Sequence, residues 1–310
     1  MKKVFIDGSA GTTGLRIFER LAQRNDIEQI TLPENLRKDA ESRKKAINSA
    51  DIVFLCLPDD AAREAVSFVE NPDTVIIDTS TAHRTEVGWA YGFPELGSKF
   101  ENAVQNSKRI AVPGCHASGF IALVYPLAEA GVLYKNEYLT CHSITGYSGG
   151  GKKMIADYES NNRCELLNAP RQYGLSQTHK HLKEMVKITG IENAPVFCPI
   201  VADFYSGMEV SVPVFAHQLK NGADIDTVKK IYADKYNSEL VKYIDSDDEN
   251  GFLSAAKLSG KDNMIISVYG NKDRIILTAR YDNLGKGASG AAIECLNIKL
   301  GCEYTQNLDI

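Results

Sequence analysis

Lys3-Val4-Phe5-Ile6-Asp7-Gly8-Ser9-Ala10-Gly11-Thr12-Thr13-Gly14, followed by Leu15, Ile17, Phe18 and Leu21, is the stretch that decides the fold. An apolar run breaks into glycines at 8, 11 and 14, and apolar residues at helical spacing follow, so the segment reads as strand, tight turn, helix. Those glycines permit the turn, let backbone N–H groups approach a pyrophosphate, and allow a helix to pack closely on its strand. The spacing is G-x-x-G-x-x-G rather than G-x-G-x-x-G, and a glycine-rich turn without a ligand has the same letters.

Working outward, residues 27–32 form the next apolar run, and its end is where a ribose-binding acid would sit in a chain preferring NAD. Glu34 offers such an acid, whereas Arg37 and Lys38 favour the extra 2′-phosphate of NADP; a solvated charged loop is the alternative for each. Residues 50–58 and 74–78 repeat the continuous, β-branched pattern of strands covered on both faces, with a helix expected over 61–69. Strands alternating with helices imply a doubly wound, mostly parallel α/β sheet whose ligands bind beyond the carboxyl ends of the strands. The loops at Gly8, Pro58 and Ser80 therefore share one rim, where Arg84 is placed to reach an anion or to form a surface ion pair.

Residues 108–113 supply a further strand on that rim, and Pro113-Gly114-Cys115 comes at its end. Phe120, Ile121, Leu123, Val124 and Leu127 then recur at helical spacing, so a helix should start beside Cys115. A thiol there faces the positive end of the helix dipole, which favours the thiolate and makes it a nucleophile; a buried structural cysteine is the alternative. His116 follows at once, but neighbours on a helix point different ways, so it reads as a capping or packing residue.

From about residue 135 the strands become longer and richer in threonine, tyrosine and valine, at 138–143, 196–201, 209–215, 263–269 and 274–280. These imply a second α+β domain with a mixed or antiparallel sheet. Gly146-Tyr147-Ser148-Gly149-Gly150-Gly151-Lys152-Lys153 lies between them, a loop whose bare backbone suits phosphate or a nicotinamide, or a plain flexible loop. In residues 176–186, Thr178 is the N-cap candidate of a helix. His181 and Glu184, three apart, can touch on one helical face, so the carboxylate would orient the imidazole; paired surface histidines at 179 and 181 are the alternative. The run Asp282-Asn283-Leu284-Gly285-Lys286-Gly287 again reads as a turn between a strand and a helix.

The chain has 310 residues, 44% hydrophobic and 24% charged, with a net charge of −5, which suits one large or two medium domains and argues against nucleic-acid binding. The amino-terminal apolar run is too short for a signal peptide and no run approaches membrane-spanning length, so a cytoplasmic location without membrane attachment is expected. Seven cysteines, with no pair at metal-ligand spacing, argue for reduced thiols and against a disulfide framework or a metal site.

Gly8 to Gly14, Pro113-Gly114-Cys115, Gly146 to Lys152, His179-Lys180-His181 and Asp282 to Gly287 together resemble the N-acetyl-γ-glutamyl-phosphate reductases of arginine biosynthesis. The resemblance spans nearly the whole chain and is closest to the shorter subfamily, departing from the longer one at residues 79–84 and around the substrate loop. It implies an NADP-binding domain over 1–114 plus about 284–310, and a catalytic, substrate and oligomerisation domain over 115–283. It further implies reduction of a small-molecule acyl phosphate by NADP(H) through a thioester on Cys115, in a homo-oligomer, dimer or tetramer.

His181 would move the protons, with Glu184 behind it and His179 as substitute. Gly8, Ser9, Gly11, Thr12, Thr13, Gly14, Arg37, Ser80, Ser148, Gly149, Gly150, Asn283 and Gly285 would hold the cofactor, and Arg84 and Arg171 the substrate's phosphate or carboxylate. The rivals are aspartate-semialdehyde dehydrogenase, a cysteine–histidine hydrolase, which leaves Gly8 to Gly14 unexplained, and a non-catalytic dinucleotide sensor.

Overall fold

Alternation along the first strands builds the first layer. In the computed structural model, which describes residues 1–310, β1 (Lys2–Asp7) runs into α1 (Thr12–Leu21), then β2 (Ile27–Ile30), α2 (Ala40–Ser49), β3 (Ile52–Leu55), α3 (Asp59–Ser67), β4 (Val75–Asp78), the short β5 (Ala90–Tyr91), α4 (Ser98–Asn106) and β6 (Arg109–Ala111). The strands pair in parallel in the order β2-β1-β3-β4-β6-β5. Val4, Ile6, Ile52 and Phe54 meet Ile17, Leu21 and Val104 on one face, while Phe5, Val53 and Leu55 meet Ala46, Ile47, Ala62 and Ala65 on the other. Each such side chain taken from water contributes about 1.5–3 kcal/mol, so a sheet apolar on both faces is stable only when covered twice. The strand order reverses beside β1, and the glycine turn sits at that switch.

The second unit opens with α5 (Cys115–Glu129), followed by β7 (Thr140–Gly146), α6 (Gly151–Glu159), β8 (Arg171–Gln172), α7 (His181–Thr189), β9 (Val196–Ala202), β10 (Met208–Phe215), α8 (Ile225–Lys235), β11 (Val241–Tyr243), β12 (Met264–Gly270) and β13 (Arg274–Tyr281). Its seven-stranded sheet has the order β11-β12-β13-β10-β7-β9-β8 and is mixed, with β7 parallel to β9 and antiparallel to β10. Helix α5 is apolar nearly all round and packs on β10 and β13, where Val210, Leu277, Ala279 and Tyr281 are buried. The final helix, α9 (Gly290–Leu300), returns to the first layer, where Ala291, Ala292, Cys295 and Leu296 join the core. The compact units are Met1–Pro94, Ser98–Gly114 and Ala288–Leu308 on one side and Glu95–Gly97, Cys115–Gly287 and Asp309–Ile310 on the other.

Three local expectations are corrected. Residues 147–150 are not an open loop but a tight helical turn, running into α6 from Gly151. Thr178 does not cap α7: its hydroxyl pairs with Ser176, 2.8 Å away, and the helix starts three residues later. The second strand stops at Ile30, before Leu32 and Pro33.

Candidate active site

Cys115 is the first residue of α5, half-buried, at the positive end of a helix whose interior is otherwise sealed. Its backbone is pinned by a tyrosine from the far end of the unit. Tyr281 donates its hydroxyl to the Cys115 carbonyl at 2.5 Å and accepts the Gly119 N–H at 3.0 Å, so it bridges the two ends of the first turn of the helix. Gly119 allows this, since a Cβ there would lie 2.7 Å from the tyrosine oxygen. Gly287 does the same service beside the thiol, because its Cβ would come within 3.0 Å of the Cys115 Cβ.

Three imidazoles gather in this unit. His179 and His181 have ring centroids 4.6 Å apart, and His116 lies 5.7 Å from His181 and 6.0 Å from His179. His181 is buried, so the surface-histidine alternative fails for it; Glu184, one turn along α7, is buried too. His179 Nδ1 accepts the His181 backbone N–H at 3.2 Å, which supplies part of the cap that Thr178 does not. His116 is neither a cap nor a bystander: its Nδ1 lies 2.7 Å from Ser143 Oγ and its Nε2 2.6 Å from the Tyr173 hydroxyl. Burial, reinforced by the neighbouring His179, pushes the His116 imidazole down to about 3, so it stays neutral. Burial and then the charge of the nearby Cys115 push the Tyr173 hydroxyl up, so it keeps its proton.

Several expected ligand residues instead serve this unit's own framework. Asn283 accepts the Gly207 N–H at 2.9 Å and donates to Ser148 Oγ at 3.0 Å. Gly285 gives its N–H to Asp282, whose carboxylate also takes Leu284 N–H, Ser206 Oγ and Gly260 N–H. Gly149 and Gly150 remain exposed. Arg171 is exposed at the surface, with its guanidinium over the Tyr158 ring and one N–H on the Tyr158 hydroxyl at 3.1 Å. The sequence did not flag Lys286, which is buried and sits 2.5 Å from Glu95.

In the first unit, the turn after β1 has the shape a diphosphate needs. Gly8 has φ +91°, and a Cβ there would lie 2.3 Å from the Cys56 carbonyl oxygen; a Cβ on Gly14 would lie 2.4 Å from the Gly8 oxygen. Gly11 caps α1 without any side-chain hydrogen bond, and no acid stands in its first turn, so the N–H groups at Thr12 and Thr13 meet no competing anion. Arg37 is exposed, with Nε 3.4 Å from the Leu32 oxygen. Ser80 is buried and gives its hydroxyl to Asp78 at 2.7 Å. Arg84 is buried and bonds the Val112 and Thr79 carbonyls, so it does not stand at the surface.

The chain matches two family models: the semialdehyde dehydrogenase NAD-binding domain over residues 29–103 and the semialdehyde dehydrogenase dimerisation domain over 115–283. It is 43% identical over 305 residues to an N-acetyl-γ-glutamyl-phosphate reductase of Rhizobium meliloti, covering 96% of this chain and 98% of that protein. It is 42% identical over 311 residues to N-acetyl-γ-glutamyl-phosphate reductase 2 of a Nostoc species, covering 96% and 97%. Among solved structures, a probable aspartate-semialdehyde dehydrogenase from Pseudomonas aeruginosa superposes with a TM-score of 0.72 at 14% identity, covering 96% of this chain and 98% of that one. An aspartate-semialdehyde dehydrogenase with NADP from Candida albicans gives 0.66 at 16%, covering 96% and 98%. At such identities these two likenesses concern the fold.

Proposed function

The chain belongs to the N-acetyl-γ-glutamyl-phosphate reductase family, built of semialdehyde dehydrogenase domains, and from that premise we propose that it reduces N-acetyl-γ-glutamyl phosphate to N-acetylglutamate 5-semialdehyde and phosphate with NADPH, in arginine biosynthesis. The observation that carries this reading is a cysteine as the first residue of a buried helix, in the same unit as the His179–His181 pair.

The Cys115 sulfur attacks the acyl carbon, the C–O bond to phosphate breaks, and phosphate leaves a thioester. When bound, NADPH would supply the hydride by which the thioester carbon is reduced to the aldehyde level while still attached to Cys115. His181 returns a proton to the carbonyl oxygen and removes it again as the C–S bond breaks and the aldehyde departs. Glu184 orients His181, and His179, whose Nδ1 is occupied by the His181 N–H, is the substitute base. His116 stays neutral and holds Tyr173. Backbone N–H groups at the start of α5 stabilise the oxyanion, a contribution of about 3 kcal/mol per donor.

Gly8, Ser9, Gly11, Thr12, Thr13 and Gly14 would cradle the pyrophosphate of NADP(H), Arg37 would take the 2′-phosphate, and Gly149 and Gly150 would offer backbone to the cofactor. Ser80 in the first unit, and Ser148, Asn283 and Gly285 in the second, are further residues we assign to cofactor binding. Arg84 and Arg171 meet the substrate's anions. A homo-oligomer forms through the open face of the seven-stranded sheet, where Val196, Phe215 and Ile276 are exposed on one side. No helix is long and apolar enough to cross a membrane, and the cytoplasm is the compartment proposed for this biosynthetic step. The deciding experiment is a substrate panel: N-acetylglutamyl semialdehyde and aspartate semialdehyde, each with phosphate and NADP. Turnover of the aspartyl compound alone overturns the assignment.

A further inference from the structure

The carboxyl end of β4 and the loop after it carry three side chains without a part in the proposed reaction, Asp78, His83 and Trp89. Asp78, with no exposed surface, receives three hydrogen bonds on its carboxylate: Ser80 N–H at 2.9 Å, Ser80 Oγ at 2.7 Å and His83 Nδ1 at 2.6 Å. Ser80 Oγ in turn accepts the Ala82 N–H at 3.1 Å. The His83 ring lies flat on Trp89, centroids 4.1 Å apart and planes within 11°.

The next residue is Arg84. Its Nε donates to the Val112 oxygen at 2.8 Å and its Nη2 to the Thr79 oxygen at 2.9 Å, while the Val112 N–H donates to the Asp78 oxygen at 2.8 Å. Two consecutive side chains therefore reach back five positions each, His83 to Asp78 and Arg84 to Thr79. Both backbone groups of Val112 are held, its N–H by the carbonyl of Asp78 at the end of β4 and its carbonyl by Arg84 in the loop, and Val112 stands three residues ahead of Cys115.

We infer that His83 is a positioning residue: its hydrogen bond to Asp78 locks the 79–84 loop, and with it the plane of the Arg84 guanidinium that meets the substrate's anion. A buried carboxylate deprived of a donor is costly, so the loop closes only with an imidazole or another N–H in that place. Trp89 fixes the ring plane from the opposite side. If His83 were mere packing, any flat ring would serve.

This inference rests on the reductase reading only for the meaning of KM. Two variants separate the ring from its hydrogen bond: His83→Phe keeps a ring on Trp89 and loses the donor, and His83→Asn loses the ring and keeps an N–H for Asp78. In His83→Phe, KM for the acyl phosphate rises at least about tenfold while kcat stays within about threefold, and His83→Asn restores KM to within about threefold of the wild type. An unchanged KM in His83→Phe, or an Asn variant as impaired as the Phe variant, overturns it.

A second measurement needs neither variant nor turnover. Trp89 is the one tryptophan in the chain, so its emission is followed while inorganic phosphate is titrated into the wild-type enzyme. An anion engaging Arg84 shifts the loop under the His83–Trp89 stack, and a saturable change in emission is expected. Flat emission at phosphate concentrations that sustain the reverse reaction overturns the role of His83. Failure of the wild-type enzyme to turn over N-acetylglutamyl semialdehyde counts instead against the reductase reading alone.

Discussion

At the scale of the residue, Cys115 differs from the other six cysteines by its surroundings. Desolvation pushes Cys56 up to about 12 and Cys141 well above the ordinary thiol range, whereas Cys115 stands half-buried at a helix N-terminus. Peptide mapping after brief iodoacetamide treatment near neutral pH should therefore find Cys115 alkylated ahead even of the exposed Cys164, with Cys56 and Cys141 untouched. Cys115→Ala should abolish reductase turnover while the affinity for NADP stays within about threefold, measured by titration calorimetry. His116 gives a pH prediction. Its folded value, about 3, lies below the ordinary 6.5, so the folded state resists protonation that the unfolded chain accepts. Stability is thus complete above 6.5 and falls as pH drops from there toward 3; thermal melts of His116→Gln should show a shallower acid loss. The place of Cys115 at the start of a helix was legible from local motifs. The setting of His116 was not, because its partners Ser143 and Tyr173 lie 27 and 57 residues away in sequence.

At the scale of the element, α5 shows how a helix tolerates a residue that its interior normally rejects. Pro126 cannot give an N–H to the Ala122 carbonyl, and the Tyr236 hydroxyl from just beyond α8 supplies that bond at 2.7 Å, with Tyr232 doing likewise for Leu123. Tyr236→Phe leaves the buried Ala122 carbonyl without this donor and should cost about 1–3 kcal/mol, read from denaturant unfolding. The long runs β1, β7, β9, β10, β12 and β13 were legible because two-residue alternation or continuous apolar character declares a strand. The strands β5, β8 and β11 were not, having two or three residues each; tertiary pairing, not local pattern, makes them strands. The helical turn at 147–150 was hidden for a related reason. Glycine allows it without demanding it, and a Cβ on Gly146 or Gly150 would strike Tyr205 or Met154.

At the scale of the whole molecule, the covered sheet and the open sheet divide the labour. The first is apolar on both faces and is covered twice; the second shows Val196, Phe215 and Ile276 together on one exposed face, which we propose as the surface that meets another copy. Phe215→Glu combined with Ile276→Glu should lower the mass in solution to that of one chain, 34.1 kDa, by analytical ultracentrifugation. The doubly wound class was legible from the alternation of strands and helices, whereas the strand order of the second sheet, joining residues as distant as Met208 and Tyr281, was not. That distance has a consequence for biosynthesis of the chain itself. The first turn of α5 is bridged by the hydroxyl of Tyr281, 166 residues further on, so synthesis must run past Tyr281 before the backbone around Cys115 gains this anchor. A product terminated before Tyr281 would lack this anchor beneath Cys115.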